Sequence, residues 1–163
     1  MNIVKKVSLP VLTFVFAWIG AQSTFNTDWQ WYENLNKSEL NPPSFVFGIV
    51  WPILYTFMGI VSFLQAKILF RPFIVQLFLN GAWSWIFFVF QLPELALLNI
   101  LILIGINTEI LRLLKQERAY ISLLLYTPYV VWLCFACYLN ASISILNWTR
   151  KKTISRPRYS FST

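Results

Sequence analysis

Residues 41–59 read NPPSFVFGIVWPILYTFMG, and this stretch gives the clearest indication of the architecture. Pro42 and Pro43 interrupt any helix before them and suit the first turn of a helix that follows. The twenty residues 45–64 carry no charged side chain. A helix of that length crosses the hydrocarbon core of a bilayer, so this stretch predicts a membrane span.

Three large side chains of this predicted helix share one face. Trp51, Tyr55 and Met58 are spaced by four and then three residues, which places them one above the other on a helix. Trp and Tyr usually lie at the membrane interface, where their polar groups stay hydrated, so their position at mid-depth is unusual. Two interpretations are open: the wall of an internal cavity, or ordinary packing between helices.

The composition extends the membrane prediction to the whole chain. It is 58% hydrophobic and only 12% charged, about half the charged fraction of a soluble domain. Its 163 residues are nearly filled by five spans of about 20 residues, which leaves no room for a soluble catalytic module. We predict one all-α domain, a five-transmembrane-helix bundle over residues 1–148. The predicted spans are 7–24, 45–64, 73–92, 95–114 and 120–147, followed by a basic, disordered, lipid-associated tail at 149–163.

The net charge of +7 would suggest nucleic acid in a soluble protein. Here the basic residues cluster at the ends of predicted spans and in the tail, which favours contact with anionic lipid and no nucleic acid. Seven Lys and Arg residues fall on the amino-terminal side of the membrane and six on the other. Because the positive-inside rule depends on an excess, these numbers do not predict an orientation.

The chain contains no histidine and only two cysteines, Cys134 and Cys137. Histidine is the commonest haem ligand and general base, so neither role is available from it. The two cysteines are too few for a disulfide framework and too isolated for a zinc site. We therefore predict no metal site and no resident cofactor.

A polar stripe runs along the third predicted span. Gln76, Asn80, Trp83 and Phe87 follow one another at helical spacing, and amides that face lipid are costly, so we expect this stripe to face the bundle interior. Asn80 and Gln76 then either join helices by hydrogen bonds or contact the polar part of a ligand. Both interpretations are open.

Two further features concern the ends of the spans. The first loop, residues 26–41, is rich in aromatic side chains that either cap one mouth of the bundle or form an interfacial belt. Glu109, the only acidic residue inside a predicted span, lies about one helical turn from Arg112. This spacing predicts an ion pair near the helix end.

Motifs on three predicted spans, in the same order, resemble the TspO/MBR family, which includes the translocator protein or peripheral-type benzodiazepine receptor. The resemblance covers residues 28–148. The matching positions are Trp31-Tyr32 in the first loop; Pro42-Pro43, Phe47, Val50-Trp51, Leu54-Tyr55 and Met58-Gly59; Gln76, Leu79-Asn80, Trp83 and Phe87-Phe88; and Pro128-Tyr129, Trp132, Phe135-Ala136, Leu139-Asn140 and Leu146-Asn147.

This resemblance implies a five-helix bundle, usually a homodimer, that binds protoporphyrin IX-like tetrapyrroles and benzodiazepine or isoquinoline drugs. The pocket is implied to lie between the first loop and the helices. Without histidine, we expect it to favour metal-free porphyrin over haem. The implied ligand-binding residues are Trp31, Phe47, Trp51, Tyr55, Asn80, Trp83, Phe87, Trp132, Phe135, Ala136 and Asn140.

The resemblance leaves the activity open between three possibilities. The protein is a membrane sensor or transporter of porphyrins, a light- and oxygen-dependent porphyrin-degrading enzyme using Trp51 and Trp132, or a structural membrane subunit without a ligand. The implied location is a bacterial cell membrane, or an organellar membrane in a eukaryote. Two departures stand out: Leu40 replaces a Trp that is common in the family, and Trp148 occupies the Tyr position of a sterol motif. We therefore do not predict sterol recognition.

Overall fold

The computed structural model describes residues 3–154, and within this range the regular structure is helical. The elements are α1 (Ile3–Gln22), a 3₁₀ turn (Ser23–Asn26), α2 (Trp29–Glu33), α3 (Ser44–Leu64), α4 (Ala66–Ser84), a π-helical turn (Trp85–Val89), α5 (Pro93–Gln116) and α6 (Tyr120–Ile154). Five helical segments in this range are long and apolar enough to cross a membrane, namely 6–26, 44–64, 66–89, 93–116 and 120–148. The prediction of an all-α, five-span membrane protein is confirmed.

Helix α3 begins directly after the two prolines, as the sequence predicts. Pro43 precedes the helix with extended backbone, and its carbonyl accepts a hydrogen bond from Val46 N–H at 3.0 Å. Pro52 lies inside the helix. It is exposed on the outer surface, so its ring does not interfere with packing in the core.

The turn between α3 and α4 differs from the prediction. The predicted spans end at residue 64 and resume at residue 73, whereas α4 begins at Ala66. Gln65 alone separates the helices: its N–H donates to Val61 O and its carbonyl accepts from Leu69 N–H. Lys67 and Arg71 are exposed at the start of α4, where long basic side chains reach the headgroups without interrupting a helix.

The carboxyl end of α4 is wound more loosely than an α-helix. Through the π-helical turn, Phe90 N–H donates to Trp85 O at 2.9 Å, five residues back. Gln91 then has a φ of 56°, and Pro93 starts α5. The helical segment therefore ends at Val89, three residues before the predicted end of the span, because the left-handed residue reverses the chain.

A Schellman motif joins α5 to α6. Ala119 N–H donates to Leu114 O at 2.9 Å, and Arg118 N–H donates to Lys115 O at 3.1 Å. Arg118 has a φ of 54°, as this motif requires of the residue after the cap. In the last turns of α5, Arg112 and Glu109 approach within 3.6 Å, and both side chains are mostly exposed. The predicted ion pair near the helix end is confirmed.

Close helix approach occurs where α1 crosses α4. A Cβ atom on Gly81 would lie 3.3 Å from the ring of Phe16, and one on Gly20 would lie 3.8 Å from the Ser84 hydroxyl. Gly81 and Ser84 of α4 therefore pack closely against α1 of the same chain.

The predicted disordered tail is only partly within the described range. Helix α6 includes residues 149–154. Residues 155–163 lie outside the described range.

Candidate functional site

The polar stripe of α4 faces the bundle interior, as predicted. Gln76, Asn80 and Phe87 are buried, and Trp83 is half-buried. The stripe meets α3 on one side and α6 on the other, so each of its polar groups must find a partner inside the bundle or remain unpaired.

Three helices are joined by hydrogen bonds at this stripe. The Tyr55 hydroxyl of α3 donates to Asn80 Oδ1. Asn80 Nδ2 donates to the Tyr129 hydroxyl of α6 at 2.8 Å, and that hydroxyl donates to Gln76 Oε1 at 2.9 Å. In this conformation the amides of Asn80 and Gln76 join helices by hydrogen bonds, which is one of the two interpretations of the sequence. Gln76 Nε2 is different, since it is buried and lacks a partner among the described residues.

A small internal void lies beside Asn80. Its volume is about 10 Å³, which is room for roughly one water molecule. The side chains that line it come from α3, α4, α5 and α6: Trp51, Asn80, Trp83, Ile100, Leu103, Leu133 and Ala136. The face of α3 therefore combines both sequence interpretations, because Trp51 borders a void while Met58 is packed in the core.

Trp83 is positioned by an amide of α6. Its indole N–H donates to Asn140 Oδ1 at 3.1 Å, and Asn140 Nδ2 donates to the carbonyl of Pro93 at 2.8 Å. The ring of Trp83 stacks on Phe87, with centroids 5.3 Å apart. This indole packs in an aromatic cluster with Trp31, Tyr32, Phe87 and Phe88 and also lines the void.

The first loop closes this end of the bundle. Trp31 and Tyr32 of α2 contact Phe87 with ring centroids 6.1 and 6.4 Å apart. With Leu35 they pack against a small buried cluster that includes Ile143 of α6. Of the two interpretations of this loop, the structure shows the cap for Trp31 and Tyr32, whereas the Trp29 side chain stays exposed.

Side-chain hydrogen bonds fasten the loop to α6. The amide of Asn147 pairs with the backbone of Asn36, accepting from its N–H and donating to its carbonyl, both at 3.0 Å. The hydroxyls of Ser38 and Tyr138 lie 2.8 Å apart. We call these contacts the latch. It holds the loop over the aromatic cluster.

Electrostatics within the loop are consistent with a docked cap. Lys37 Nζ lies 4.4 Å from the ring centroid of Tyr32 and donates to the carbonyl of Glu33. Burial raises the pKa of Tyr32, and a hydrogen bond with Asn41 opposes that shift. Burial also lowers the pKa of Lys37, against the charge of Glu33. Each group has therefore lost part of its hydration in the closed loop.

The remaining predicted site residues form a separate group nearer the outside. Phe47 of α3 contacts Trp132 of α6 with ring centroids 5.7 Å apart, and Trp132 contacts Phe135 at 5.5 Å. Trp132 lines an outer groove and Trp51 lines the internal void. The two tryptophans predicted to act together in porphyrin degradation thus border different spaces in this conformation.

Sequence reasoning missed several residues of the site. Tyr129 is central to the hydrogen-bond network, and Asn36 and Asn147 make the latch. Tyr126 donates to Asn107 Oδ1 at 2.6 Å deeper in the bundle. Tyr126 and Tyr129 lie one turn apart on the fifth span, and the third and fourth spans carry Asn80 and Asn107. Tyrosines and asparagines inside neighbouring spans are a signal that could have indicated these hydrogen-bonded pairs.

Comparisons with known proteins agree with the fold. A sequence model of the TspO/MBR family matches residues 7–146. The chain is similar to the "Tryptophan-rich protein TspO" of Archaeoglobus fulgidus, with 32% identity over 90% of this chain and 99% of that protein. It is 30% identical to the "Translocator protein" of Bos taurus, over 84% of this chain and 86% of that protein. It is 29% identical to the "Tryptophan-rich sensory protein" of Cereibacter sphaeroides, over 74% and 79% respectively.

Proposed function

The chain belongs to the TspO/MBR family of multi-pass membrane proteins, and from that premise we propose that it binds a porphyrin-like tetrapyrrole inside the bundle. Its role is that of a membrane sensor or transporter, and flat drugs of the benzodiazepine or isoquinoline type occupy the same place. The observation that carries this proposal is the convergence of Trp51, Trp83 and Asn80 on one internal void beneath an aromatic cap. The names of the relatives, which include a sensory protein and a translocator, are consistent with it.

The chemistry of the lining suits a flat, largely apolar ring. Indole and phenyl faces stack on a macrocycle, and such contacts contribute about 0.5–1.5 kcal/mol each beyond area burial. The carboxylates of a porphyrin need donors. Trp83 Nε1 and Asn80 Nδ2 donate to protein acceptors in the closed state, whereas Gln76 Nε2 is a buried donor without a partner among the described residues. Gln76 does not line the void in the closed state; we infer that it supplies a new hydrogen bond once the void has enlarged.

The void must enlarge before such a ligand enters. Ligand pockets have volumes of roughly 300–1,000 Å³, far above the void of about 10 Å³. Binding therefore selects an open state in which the first loop lifts and Trp83 separates from its neighbours. The apparent dissociation constant equals that of the open state divided by the fraction of molecules that are open, so a mostly closed population binds more weakly.

Titration of the purified full chain with protoporphyrin IX in lipid nanodiscs tests the proposal. We expect saturable binding, followed by the absorption band of the porphyrin, and a Trp51→Ala variant that binds about two- to tenfold more weakly after loss of one stacking face. Trp18→Phe is the matched control, since this tryptophan lies 64% exposed on α1 and away from the void. The proposal fails if binding does not saturate, or if both variants bind like the unchanged protein.

A filling variant tests the location independently. Ala136 is buried and lines the void, so Ala136→Phe should occupy that space and abolish porphyrin binding. Ala141→Phe is the control, because Ala141 is a half-buried position of the same helix that does not line the void. Equal binding by the two variants would place the ligand elsewhere. Circular dichroism and gel filtration establish that each variant keeps its helical fold.

A further inference from the structure

The outer face of α4 begins with two basic residues, Lys67 and Arg71, which we call the α4 pair. They lie one turn apart on the same side of the helix, and both are exposed. Neither makes an ion pair within the described part of the chain, and α4 contains no acidic residue. Because α4 begins at Ala66, both positions lie within about 8 Å of its start. The two charges therefore lie at the level of the lipid headgroups.

The other basic residues on this side of the bundle that belong to α5 and the turn after it have acidic neighbours. Arg112 Nη1 lies 3.6 Å from Glu109 Oε2. Lys115 and Arg118 flank Glu117 in the sequence. The positive charge at this end of α5 is therefore partly balanced within the chain itself.

Two further lysines direct their charge at aromatic rings. Lys6 Nζ lies 4.6 Å from the ring centroid of Phe63, and Lys37 Nζ lies 4.4 Å from that of Tyr32. Such contacts stabilise a cation from within the protein. Of the basic side chains described, the α4 pair is thus the one that leaves two adjacent charges for a molecule outside the chain.

An apolar surface continues from the α4 pair into the membrane. Val75 and Phe78 lie on the same side of α4 and are 48% and 62% exposed. Phe78 lies seven residues after Arg71, about 10 Å along the helix, and half of the hydrocarbon core is about 15 Å thick. The ring of Phe78 also meets Phe16 of α1, with centroids 6.5 Å apart. A headgroup-level charge with apolar contact along most of one leaflet matches the shape of a phospholipid.

We propose that the α4 pair and this apolar surface bind an anionic diacyl phospholipid. The headgroup phosphate contacts Lys67 and Arg71, and an acyl chain lies against Val75 and Phe78. A zwitterionic phospholipid has the same chains and phosphate but adds a cationic group, so the site selects by net charge. Each adjoining basic residue favours the anionic lipid by about fivefold. The site shares no residue with the lining of the internal void, so it does not depend on whether the chain binds a porphyrin.

Photolabelling of the full chain in phosphatidylcholine nanodiscs tests this proposal. The probes are phosphatidylglycerol and phosphatidylcholine that carry the same diazirine in one acyl chain. We expect the phosphatidylglycerol probe to label residues 72–82 saturably and about 5–25-fold more than the phosphatidylcholine probe. Unlabelled phosphatidylglycerol should compete. Inorganic phosphate, which has the charge but no chains, should compete no better than sodium chloride of the same ionic strength.

Two double variants separate this site from general attraction of anionic lipid to a basic protein. Lys67→Gln with Arg71→Gln should label equally with both probes. Lys115→Gln with Arg118→Gln removes the same charge at exposed positions on the same side of the membrane and should keep the preference for phosphatidylglycerol. Circular dichroism establishes that each variant keeps its helical fold.

Exchanging the two basic residues, Lys67→Arg with Arg71→Lys, keeps both charges and should retain the preference. The proposal is overturned if the unchanged protein labels alike with both probes, or if the two glutamine variants lose the preference equally. It is also overturned if the phosphatidylglycerol probe labels all lipid-facing helices evenly, or if inorganic phosphate abolishes the labelling.

Discussion

At the scale of single residues, the amide of Asn80 shows what a membrane interior demands. Its oxygen accepts from Tyr55 and its nitrogen donates to Tyr129, so one side chain joins α3, α4 and α6. In hydrocarbon, no water replaces a lost partner. The same amide is therefore both a structural link and a constraint on any ligand, because a ligand that uses Asn80 must first displace a tyrosine.

This arrangement predicts that Asn80→Leu destabilises the bundle. The substitution removes two interhelical hydrogen bonds and leaves the Tyr55 hydroxyl without an acceptor, whereas Tyr129 keeps its hydrogen bond to Gln76. Hydrogen bonds between membrane helices contribute on average about 0.6 kcal/mol and at most about 1.7, so we expect the free energy of unfolding to fall by about 1–3 kcal/mol. Reversible unfolding in mixed micelles measures it.

Thr56→Val is the matched control for that measurement. The Thr56 hydroxyl is exposed and donates within its own helix, to the carbonyl of Pro52. Its loss should leave the free energy of unfolding nearly unchanged. If Asn80→Leu and Thr56→Val are equally stable, the amide does not hold the helices together.

How far the sequence predicts the site depends on the range of the interaction. Helical spacing places Gln76, Asn80, Trp83 and Phe87 on one interior stripe, because residues three and four apart share a face. It does not identify Tyr129 as the partner of Asn80, since that pairing depends on how α4 and α6 pack. Trp132 shows the same limit: its resemblance to a pocket residue does not say which side of α6 faces the void.

At the scale of elements, the first loop is a small folded cap rather than an irregular connection. Asp28 caps α2 by accepting from Trp31 N–H at 3.1 Å, and this turn presents Trp31 and Tyr32 to the aromatic cluster. The sequence indicates an aromatic loop. It does not indicate docking, because the latch partners Asn36 and Asn147 lie 111 positions apart.

The latch predicts that Asn147→Leu loosens the loop. The substitution removes two hydrogen bonds to Asn36 at exposed positions. A loss of about 1–2 kcal/mol corresponds to a rise of about 5–30-fold in the undocked population. Hydrogen exchange of the amides in residues 29–41 should quicken by that factor, while exchange in α5 should not change.

Asn26→Leu provides the comparison for the latch. Its amide donates to the carbonyl of Gln22 at the end of α1, so it is exposed near the same mouth but does not bridge to α6. Exchange in residues 29–41 should match that of the unchanged protein. Slow exchange in both variants would show that the aromatic cluster alone keeps the loop closed.

At the scale of the whole molecule, five spans place Lys6 and Trp148 on opposite sides of the membrane. The turns at Gln65 and at Glu117–Ala119 lie on the amino-terminal side, with Lys67, Arg71, Arg112, Lys115 and Arg118 nearby. The first loop lies on the other side, where α6 leaves the membrane after Trp148. Five spans give this grouping of loops, and the two charge totals depend on it.

These totals make the positive residues beyond Trp148 decisive for orientation. The amino-terminal side carries seven Lys and Arg residues; the other side carries Lys37 and the five in residues 150–158. With residues 149–163 present, seven Lys and Arg residues on the amino-terminal side oppose six on the other side. Removing residues 149–163 leaves seven opposing one, Lys37. Because positive residues stay in the cytoplasm, the truncated chain should insert uniformly, with the turn at Gln65 on the cytoplasmic side.

Labelling of single cysteines measures this outcome in a background with Cys134→Ala and Cys137→Ala. A Glu117→Cys variant reports the amino-terminal side, and a Glu39→Cys variant reports the side of the first loop; both positions are exposed. After truncation, a reagent that does not cross membranes should label only position 39 from outside a bacterial inner membrane. Replacing the five basic residues by Gln in the full chain should give the same result, since charge rather than length sets the bias. Labelling of position 117 from outside in either protein would show that these charges do not control the orientation.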